Sequence, residues 1–129
     1  MAITIAIIVL LAAVVLLSLG NKNPGVPNVS VESAQKMSTG SGITVLDVRT
    51  AREFAEGHLK GATHIPLDEL YGRLGELLPK KNTQILVYCL AGGRSAAACR
   101  ILKKNGFTRI ANMQGGISAW QGKGYPLVA

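Results

Sequence analysis

The chain has few of the residues on which several classes of small protein depend. Only two of its 129 residues are cysteine and two are histidine, and the aromatic residues make up 5%. Two cysteines cannot build a disulfide framework, and they indicate a reducing compartment. The cysteines and histidines also lack the spacing of zinc ligands, so we expect no metal site. The sequence contains no internal repeat and no low-complexity segment.

Acidic residues are scarce as well. The chain has seven Asp and Glu residues and 14 Lys and Arg residues, which gives a net charge of +7. We expect no nucleic-acid partner, because the basic residues are dispersed, aromatics are few and no binding motif is present. Attraction to anionic lipid or to small anionic substrates accounts for the charge equally well. The pairs Lys80-Lys81 and Lys103-Lys104 are interpreted as solvated faces.

Residues 2–19 form one long run without a charge. Only Thr4 and Ser18 in it are polar. As a helix, eighteen residues span about 27 Å, close to the ~30 Å hydrocarbon core of a bilayer. No Lys or Arg precedes the run, and it is longer than the apolar region of a secretory signal peptide. The run therefore predicts an uncleaved transmembrane anchor, with a cleaved signal peptide as the alternative.

The anchor hypothesis divides the chain into three parts. Residues 1–20 form the transmembrane anchor helix, residues 21–29 a linker with two prolines and a glycine, and residues 30–129 one domain. Lys22 and Lys36 follow the run and nothing basic precedes it. The positive-inside rule then predicts a single-pass membrane protein whose domain lies in the cytoplasm.

Residues 30–129 alternate short apolar strands with helical segments. This order predicts an α/β fold with a mostly parallel sheet and helices on both faces. Ser30 has the character of an N-cap, and Gly106 follows the end of a later helix. Predicted strands are 43–48, 62–65, 84–88 and 108–111, and predicted helices are 31–38, 68–78, 95–104 and 117–121, with a helical turn at 51–55.

A cysteine stands where one predicted strand turns into a helix. The run 84–88 leads to Cys89, then to Gly92 and Gly93, and then to a helix that begins at Ser95. The glycines permit the strained backbone of a tight loop, whose N–H groups and helix N-terminus surround the thiol with positive potential. Such a setting favours the thiolate, which is the nucleophilic form. The loop therefore indicates anion chemistry at sulfur.

Five motifs in this order resemble the rhodanese-like sulfurtransferases. They cover most of the chain after the linker, whereas the apolar run lies outside the resemblance. The motifs are residues 47–49 (DVR), 53–59 (EFAEGHL), 61–67 (GATHIPL), 89–95 (CLAGGRS) and 115–120 (GGISAW).

The resemblance implies a rhodanese-like fold and persulfide chemistry. Cys89 would attack the outer sulfur of a small anionic donor such as thiosulfate, hold that sulfur as a persulfide, and pass it to a thiol or protein acceptor. Arg94 would engage the anionic donor, and the resemblance requires no metal or organic cofactor. The implied substrate-binding residues are Leu90, Ala91, Gly92, Gly93, Arg94 and Ser95.

Four further residues are expected to support the loop. We predict that Arg49 forms an ion pair with Glu56 and that Asp47 binds nearby backbone amides, although Arg49 is also a candidate for donor contact. His58 is predicted to be a hydrogen-bonded turn residue rather than a catalytic base. His64 is likewise predicted to be structural.

Two buried residues are predicted behind the loop. Cys99 lies on the following helix and is interpreted as a packed structural thiol, with a resolving cysteine as the alternative. Trp120 is predicted to fill the core.

Loop length separates sulfur chemistry from its main alternative. From Cys89 to Arg94 there are six residues, the length that accompanies sulfur transfer in the family, and related dual-specificity phosphatases have one more. Phosphatase or arsenate-reductase-like anion chemistry on the same loop stays an alternative. A non-catalytic, membrane-tethered interaction module is the other, although such modules usually lose the cysteine.

Overall fold

A five-stranded parallel sheet forms the centre of the domain. The structure, a computed structural model, describes residues 25–129. The strands are β1 (Asn28–Val29), β2 (Ile43–Asp47), β3 (Thr63–His64), β4 (Gln84–Tyr88) and β5 (Ile110–Met113). They run parallel in the order β1-β5-β4-β2-β3. Because all five strands run in the same direction, their carboxyl ends lie at one edge of the sheet.

Helices cover both faces of this sheet, as the sequence predicted. The helices are α1 (Val31–Ser38), α2 (Ala51–Glu56), α3 (Leu70–Arg73), α4 (Gly93–Lys104) and α5 (Gly116–Gly122). One face of the sheet packs against α1 and α5, through residues that include Ala34 and Trp120. The other face packs against α4, which contributes Ala98, Cys99 and Leu102. With both faces covered, β4 is buried from Ile85 to Tyr88.

Several predicted elements are confirmed by the structure. α1 has the predicted bounds, and the Ser30 side chain accepts a hydrogen bond from the Ser33 amide at 3.2 Å. α4 begins two residues earlier than predicted, at Gly93, so Arg94 lies in its first turn. The last strand, β5, begins at Ile110 rather than at residue 108. Its pairing with β4 starts there, between Ile110 and Ile85.

The predicted helix 68–78 is wrong. The segment is broken into a 3-10 turn at Leu67–Glu69, α3, and further 3-10 turns at Leu74–Glu76 and Leu78–Lys80. Gly72, Gly75 and Pro79 interrupt it, since glycine and proline are poor helix formers in an interior. Leu70 and Leu77 are nevertheless buried in the core, whereas Leu78 is 54% exposed.

Of the predictions for the N-terminal part of the chain, only the end of the linker falls within the described residues. The anchor hypothesis for residues 1–20 and most of the linker lie outside the described residues. Asn28–Val29, at the end of the predicted linker, forms the edge strand β1, because it pairs with Asn112 and Met113 on β5. No helix within residues 25–129 has the length and apolar character needed to cross a membrane.

Candidate active site

Cys89 lies directly after β4, at the carboxyl edge of the sheet. Residues 89–92 form a bend, and α4 begins at Gly93. The edge is the usual place for ligands in open α/β sheets. The Cys89 side chain is buried, with 1% of the residue exposed, whereas Leu90 beside it is 45% exposed. The loop therefore combines a protected thiol with an accessible rim.

Hydrogen bonds converge on the Cys89 sulfur. The Gly92 amide donates to Sγ at 3.0 Å, and the Ser95 hydroxyl lies 3.4 Å from it. Burial by itself raises the pKa of Cys89, but hydrogen bonds from the Ser95 hydroxyl and from the amides of Ser95, Gly92 and Ala91 outweigh it and lower the pKa. The loop thus stabilises the thiolate.

The Ser95 hydroxyl has two partners in the loop. It is fully buried, and it donates to the Gly92 carbonyl at 3.1 Å while it accepts from the Cys89 thiol. A hydroxyl has one proton and can rotate to suit its partners. When Cys89 is a thiolate, the same proton can therefore turn toward Sγ.

Only one of the two loop glycines is required by backbone conformation. Gly92 has a φ of +114°, which side-chain-bearing residues rarely adopt. Gly93 has no positive φ, and a Cβ added there would meet nothing within 4 Å. The strained residue is therefore the one whose amide reaches the Cys89 sulfur.

The motif at residues 115–120 supports the loop from behind. The amides of Ile117 and Ser118 donate to the carbonyls of Cys89 and Leu90 at 2.9 and 3.0 Å. A Cβ added to Gly116 would lie 2.5 Å from both carbonyl oxygens, so only glycine permits this approach. Gly115 and Gly116 were not predicted to be site residues. Two consecutive glycines before a predicted helix were the sequence signal that could have indicated their role at the site.

Arg94 is held by a carboxylate. Its Nη1 and Nη2 atoms donate to the two carboxylate oxygens of Glu53 at 2.6 and 2.8 Å. These hydrogen bonds lower the pKa of Glu53 to about 2. Glu53 stands in the second sequence motif but was not predicted as a site residue. The pair leaves Arg94 Nε and one further N–H on each Nη for further acceptors.

The predicted ion pair between Arg49 and Glu56 is wrong. Arg49 is buried, and it donates through Nε and Nη2 to Asp47 and through Nη2 to the Gly57 carbonyl. Asp47, the last residue of β2, also accepts a hydrogen bond from the Arg49 amide at 2.9 Å. This contact confirms the prediction that Asp47 binds a nearby backbone amide. Glu56 instead lies exposed, 3.6 Å from Arg52 one helical turn earlier.

His58 and His64 each form a side-chain hydrogen bond with a backbone carbonyl. His58 Nδ1 hydrogen-bonds to the Phe54 carbonyl at 2.9 Å, and its backbone pairs with Val128. His64 Nε2 hydrogen-bonds to the Arg49 carbonyl at 2.8 Å. The Phe54 ring stacks on both imidazoles. Neither histidine forms a hydrogen bond to a residue of the Cys89 loop.

Two clefts open beside the loop, and the two members of the Arg94–Glu53 pair line different ones. Glu53 and the exposed Leu90 line the larger cleft, of about 450 Å³. Arg94 lines a smaller and more apolar cleft of about 290 Å³, together with Val48 and Leu67. Either cleft is large enough for a small anion, and the larger one suits a bulkier thiol. Within residues 25–129, no group of three His, Cys, Asp or Glu could hold a metal ion.

Comparison with known proteins decides the family. A sequence model of the rhodanese-like domain matches residues 30–123. The chain belongs to the rhodanese-like domain family. A rhodanese-related protein from Thermoplasma volcanium superposes with a TM-score of 0.72 at 31% identity, over 79% of this chain and 97% of that chain.

Relatives of this rhodanese domain include named sulfurtransferases. A sulfurtransferase of Allochromatium vinosum is 33% identical over 96 residues, which cover 74% of this chain and 88% of that protein. The thiosulfate sulfurtransferase PspE of Escherichia coli is 39% identical over 70 residues, 54% of this chain and 67% of that protein. The chain covers 52% and 61% of the lengths of two Bacillus subtilis relatives. These relatives support sulfurtransferase activity in general.

Proposed function

We propose that this rhodanese domain transfers sulfane sulfur through a persulfide on Cys89. The proposal rests on the geometry at Cys89 Sγ. The Gly92 amide donates a hydrogen bond to this sulfur at 3.0 Å, and the loop lowers the pKa of the thiol. A thiolate is needed for attack on sulfur, and amides already in place stabilise negative charge without reorganisation. The named sulfurtransferase relatives support the same chemistry.

The proposed reaction has two displacement steps. The Cys89 thiolate attacks the outer sulfur of a donor such as thiosulfate. A new S–S bond forms, the bond within the donor breaks, and sulfite leaves with the electron pair. An acceptor thiolate then attacks the outer sulfur of the persulfide, and the Cys89 thiolate leaves. No redox partner is needed, because the sulfane sulfur is passed on at the same oxidation level.

The donor would be bound mainly by the loop amides. The Glu53 carboxylate already balances the charge of Arg94, so the pair offers an anion less attraction than a free guanidinium would. Arg94 Nε and one further N–H on each Nη are then available to bind the anionic sulfur donor. In the larger cleft, the exposed side chain of Leu90 would contact the acceptor.

Mass spectrometry tests this function on the full chain. Incubation with thiosulfate should add the mass of one sulfur atom, and a later addition of a small thiol should remove it. Cys99→Ser should acquire the same adduct, because the Cys99 thiol is buried and the high pKa keeps it protonated. The proposal fails if Cys89→Ser acquires the adduct as wild type does.

The same preparations separate the alternative functions. Hydrolysis of an aryl phosphate faster than sulfur transfer would favour the phosphatase alternative. A non-catalytic module would form no persulfide and would bind a partner equally well as Cys89→Ala.

We also retain the membrane hypothesis as a proposal. The uncharged run 2–19 supports a single-pass anchor through the bilayer, and the positions of Lys22 and Lys36 support a cytoplasmic domain. A topology reporter fused to the C-terminus should be active in its cytoplasmic form. Activity only in the exported form would reverse the orientation.

A further inference from the structure

The last part of the chain contains cations and no carboxylate side chain. After Glu76, no Asp or Glu occurs up to residue 129. Eight basic residues occupy that stretch. They are Lys80, Lys81, Arg94, Arg100, Lys103, Lys104, Arg109 and Lys123. A stretch of this length with one sign of charge creates a strong local potential wherever the fold gathers it.

The fold gathers six of these cations around the C-terminal end of α4. Arg100, Lys103 and Lys104 are exposed, at spacings that place them on one face of the helix. The Lys81 ammonium lies against Gly106 just beyond the helix, and Arg109 Nη1 donates to the Asn82 carbonyl at 3.3 Å. With Lys80, these residues form what we call the basic pole, defined as Lys80, Lys81, Arg100, Lys103, Lys104 and Arg109.

Four of the six cations of this pole form no ion pair with a carboxylate within residues 25–129. They are Lys80, Lys81, Lys104 and Arg109. The acidic side chains that form ion pairs do so with other cations, as Glu53 does with Arg94 and Glu32 with Lys123. The two lysines in the last turn also lie at the negative end of the helix dipole, which stabilises them there.

The basic pole lies where the chain enters the domain. Gly25, the first described residue, contacts the Lys103 side chain, and Val26 packs into the core on the α4 face. Twenty-four residues precede Gly25, and they include the uncharged run 2–19 and Lys22. Cys89 is at the opposite end of α4, about 18 Å away along a twelve-residue helix.

We propose that the basic pole docks on an anionic membrane surface. Phosphate headgroups match a cluster of cations of which only Lys81 is partly buried, and cations near the surface of an anionic membrane favour binding. Single-stranded nucleic acid is a poorer match, because none of the six residues is an aromatic platform for bases. The apolar run preceding Gly25 favours lipid as well. Docked in this way, the Cys89 loop faces away from the bilayer and stays accessible to donor and acceptor.

Lysine footprinting on the full chain tests the docking surface without any sulfur-transfer assay. The protein is mixed with neutral phosphatidylcholine vesicles or with vesicles containing about 30% phosphatidylserine, and exposed lysines are acetylated and located by mass spectrometry. We expect acetylation of Lys80 and Lys104 to slow about threefold or more with the anionic vesicles only. Lys36 and Lys60, which are exposed elsewhere on the domain, serve as controls in the same molecule.

Salt and paired variants complete the test. About 0.5 M salt should remove the protection, because exposed charges are screened over a few ångströms at that strength. Lys80→Gln with Lys104→Gln should reduce protection of Lys81, whereas Lys36→Gln with Lys60→Gln should not. Equal protection of all lysines, or none, would overturn the proposal. So would protection of the basic pole by an RNA or an acidic peptide but not by anionic vesicles.

Discussion

The two cysteines share one face of the sheet but differ in chemistry. Both thiols are buried in the cluster that α4 covers. Burial raises the pKa of Cys99 to about 12. At Cys89 burial acts in the same direction, yet hydrogen bonds from the loop outweigh it and the pKa is lowered. Burial therefore does not decide whether a cysteine is reactive.

Local backbone geometry accounts for the difference. Cys99 lies within α4, where the amides are engaged in the helix, and no hydrogen bond to its thiol is found within residues 25–129. Cys89 precedes the helix, so the first amides of the helix and those of the bend point at its sulfur. The position of a thiol relative to a helix N-terminus thus decides its protonation.

The largest effect is expected from the glycine that positions the nearest amide. Gly92→Ala forces a side chain into φ of +114° and should displace the amide from Sγ. Loss of one such donor should slow persulfide formation about a hundredfold. Gly93→Ala is the matched control, since that position is open and has no positive φ. Rates of thiosulfate-dependent persulfide formation measure both, and equal losses would refute this role of Gly92.

A smaller effect is expected from the buried hydroxyl. Ser95→Ala removes a hydrogen bond that favours the Cys89 thiolate, so the pKa of Cys89 should rise. Because only the thiolate is alkylated, iodoacetamide should then react more slowly with Cys89 at neutral pH. Ser118→Ala, which keeps its backbone bond to Leu90, should react as wild type. A pH profile of alkylation that does not shift in Ser95→Ala would contradict the comparison of the two thiols.

The smallest effect concerns the ion pair beside the loop. Glu53→Gln should reduce stability at neutral pH by about 1 kcal/mol, because the pair is partly exposed. The pKa of Glu53 is about 2 in the fold against an ordinary 4.5, so its contribution is complete above about pH 4.5. The contribution is lost as the pH falls toward 2, and the difference in urea unfolding between variant and wild type should disappear there.

Glu76→Gln is the control for that titration. Glu76 pairs with Arg73 at the surface, and this pair also lowers the pKa of Glu76. Because the Glu76 carboxylate is more exposed than that of Glu53, its effect at neutral pH should be smaller. A Glu53→Gln difference that grows as the pH falls would have the wrong sign for an ion pair.

Much of the fold followed from local patterns. The alternation of apolar runs with amphipathic segments predicted a parallel sheet with helices on both faces, and the structure confirms it. The segment 68–78 was mispredicted because its leucine spacing suits a helix while Gly72 and Gly75 do not. Periodicity reports which side chains face the core, and it reports continuity of the helix less well.

Partners of the charged residues did not follow from local patterns. Arg49 was predicted to pair with Glu56, seven residues later, but the nearer Asp47 holds it at 2.8 Å in a buried contact. Buried guanidinium groups pair with the carboxylate that shares their low-dielectric environment, and Glu56 is at the surface. Glu53 and Arg94 are separated by 41 positions and meet only at the sheet edge.

The sequence by itself determined the order strand, Cys89, bend and helix, and with it a thiol at the N-terminus of α4. These are properties of neighbouring residues, which backbone conformation couples directly. The tertiary structure alone decided that Gly116 supports the loop carbonyls, that Glu53 neutralises Arg94, and that the late cations gather at one pole. Such contacts join distant segments, and they depend on how the crossovers bring strand ends and helix ends together in space.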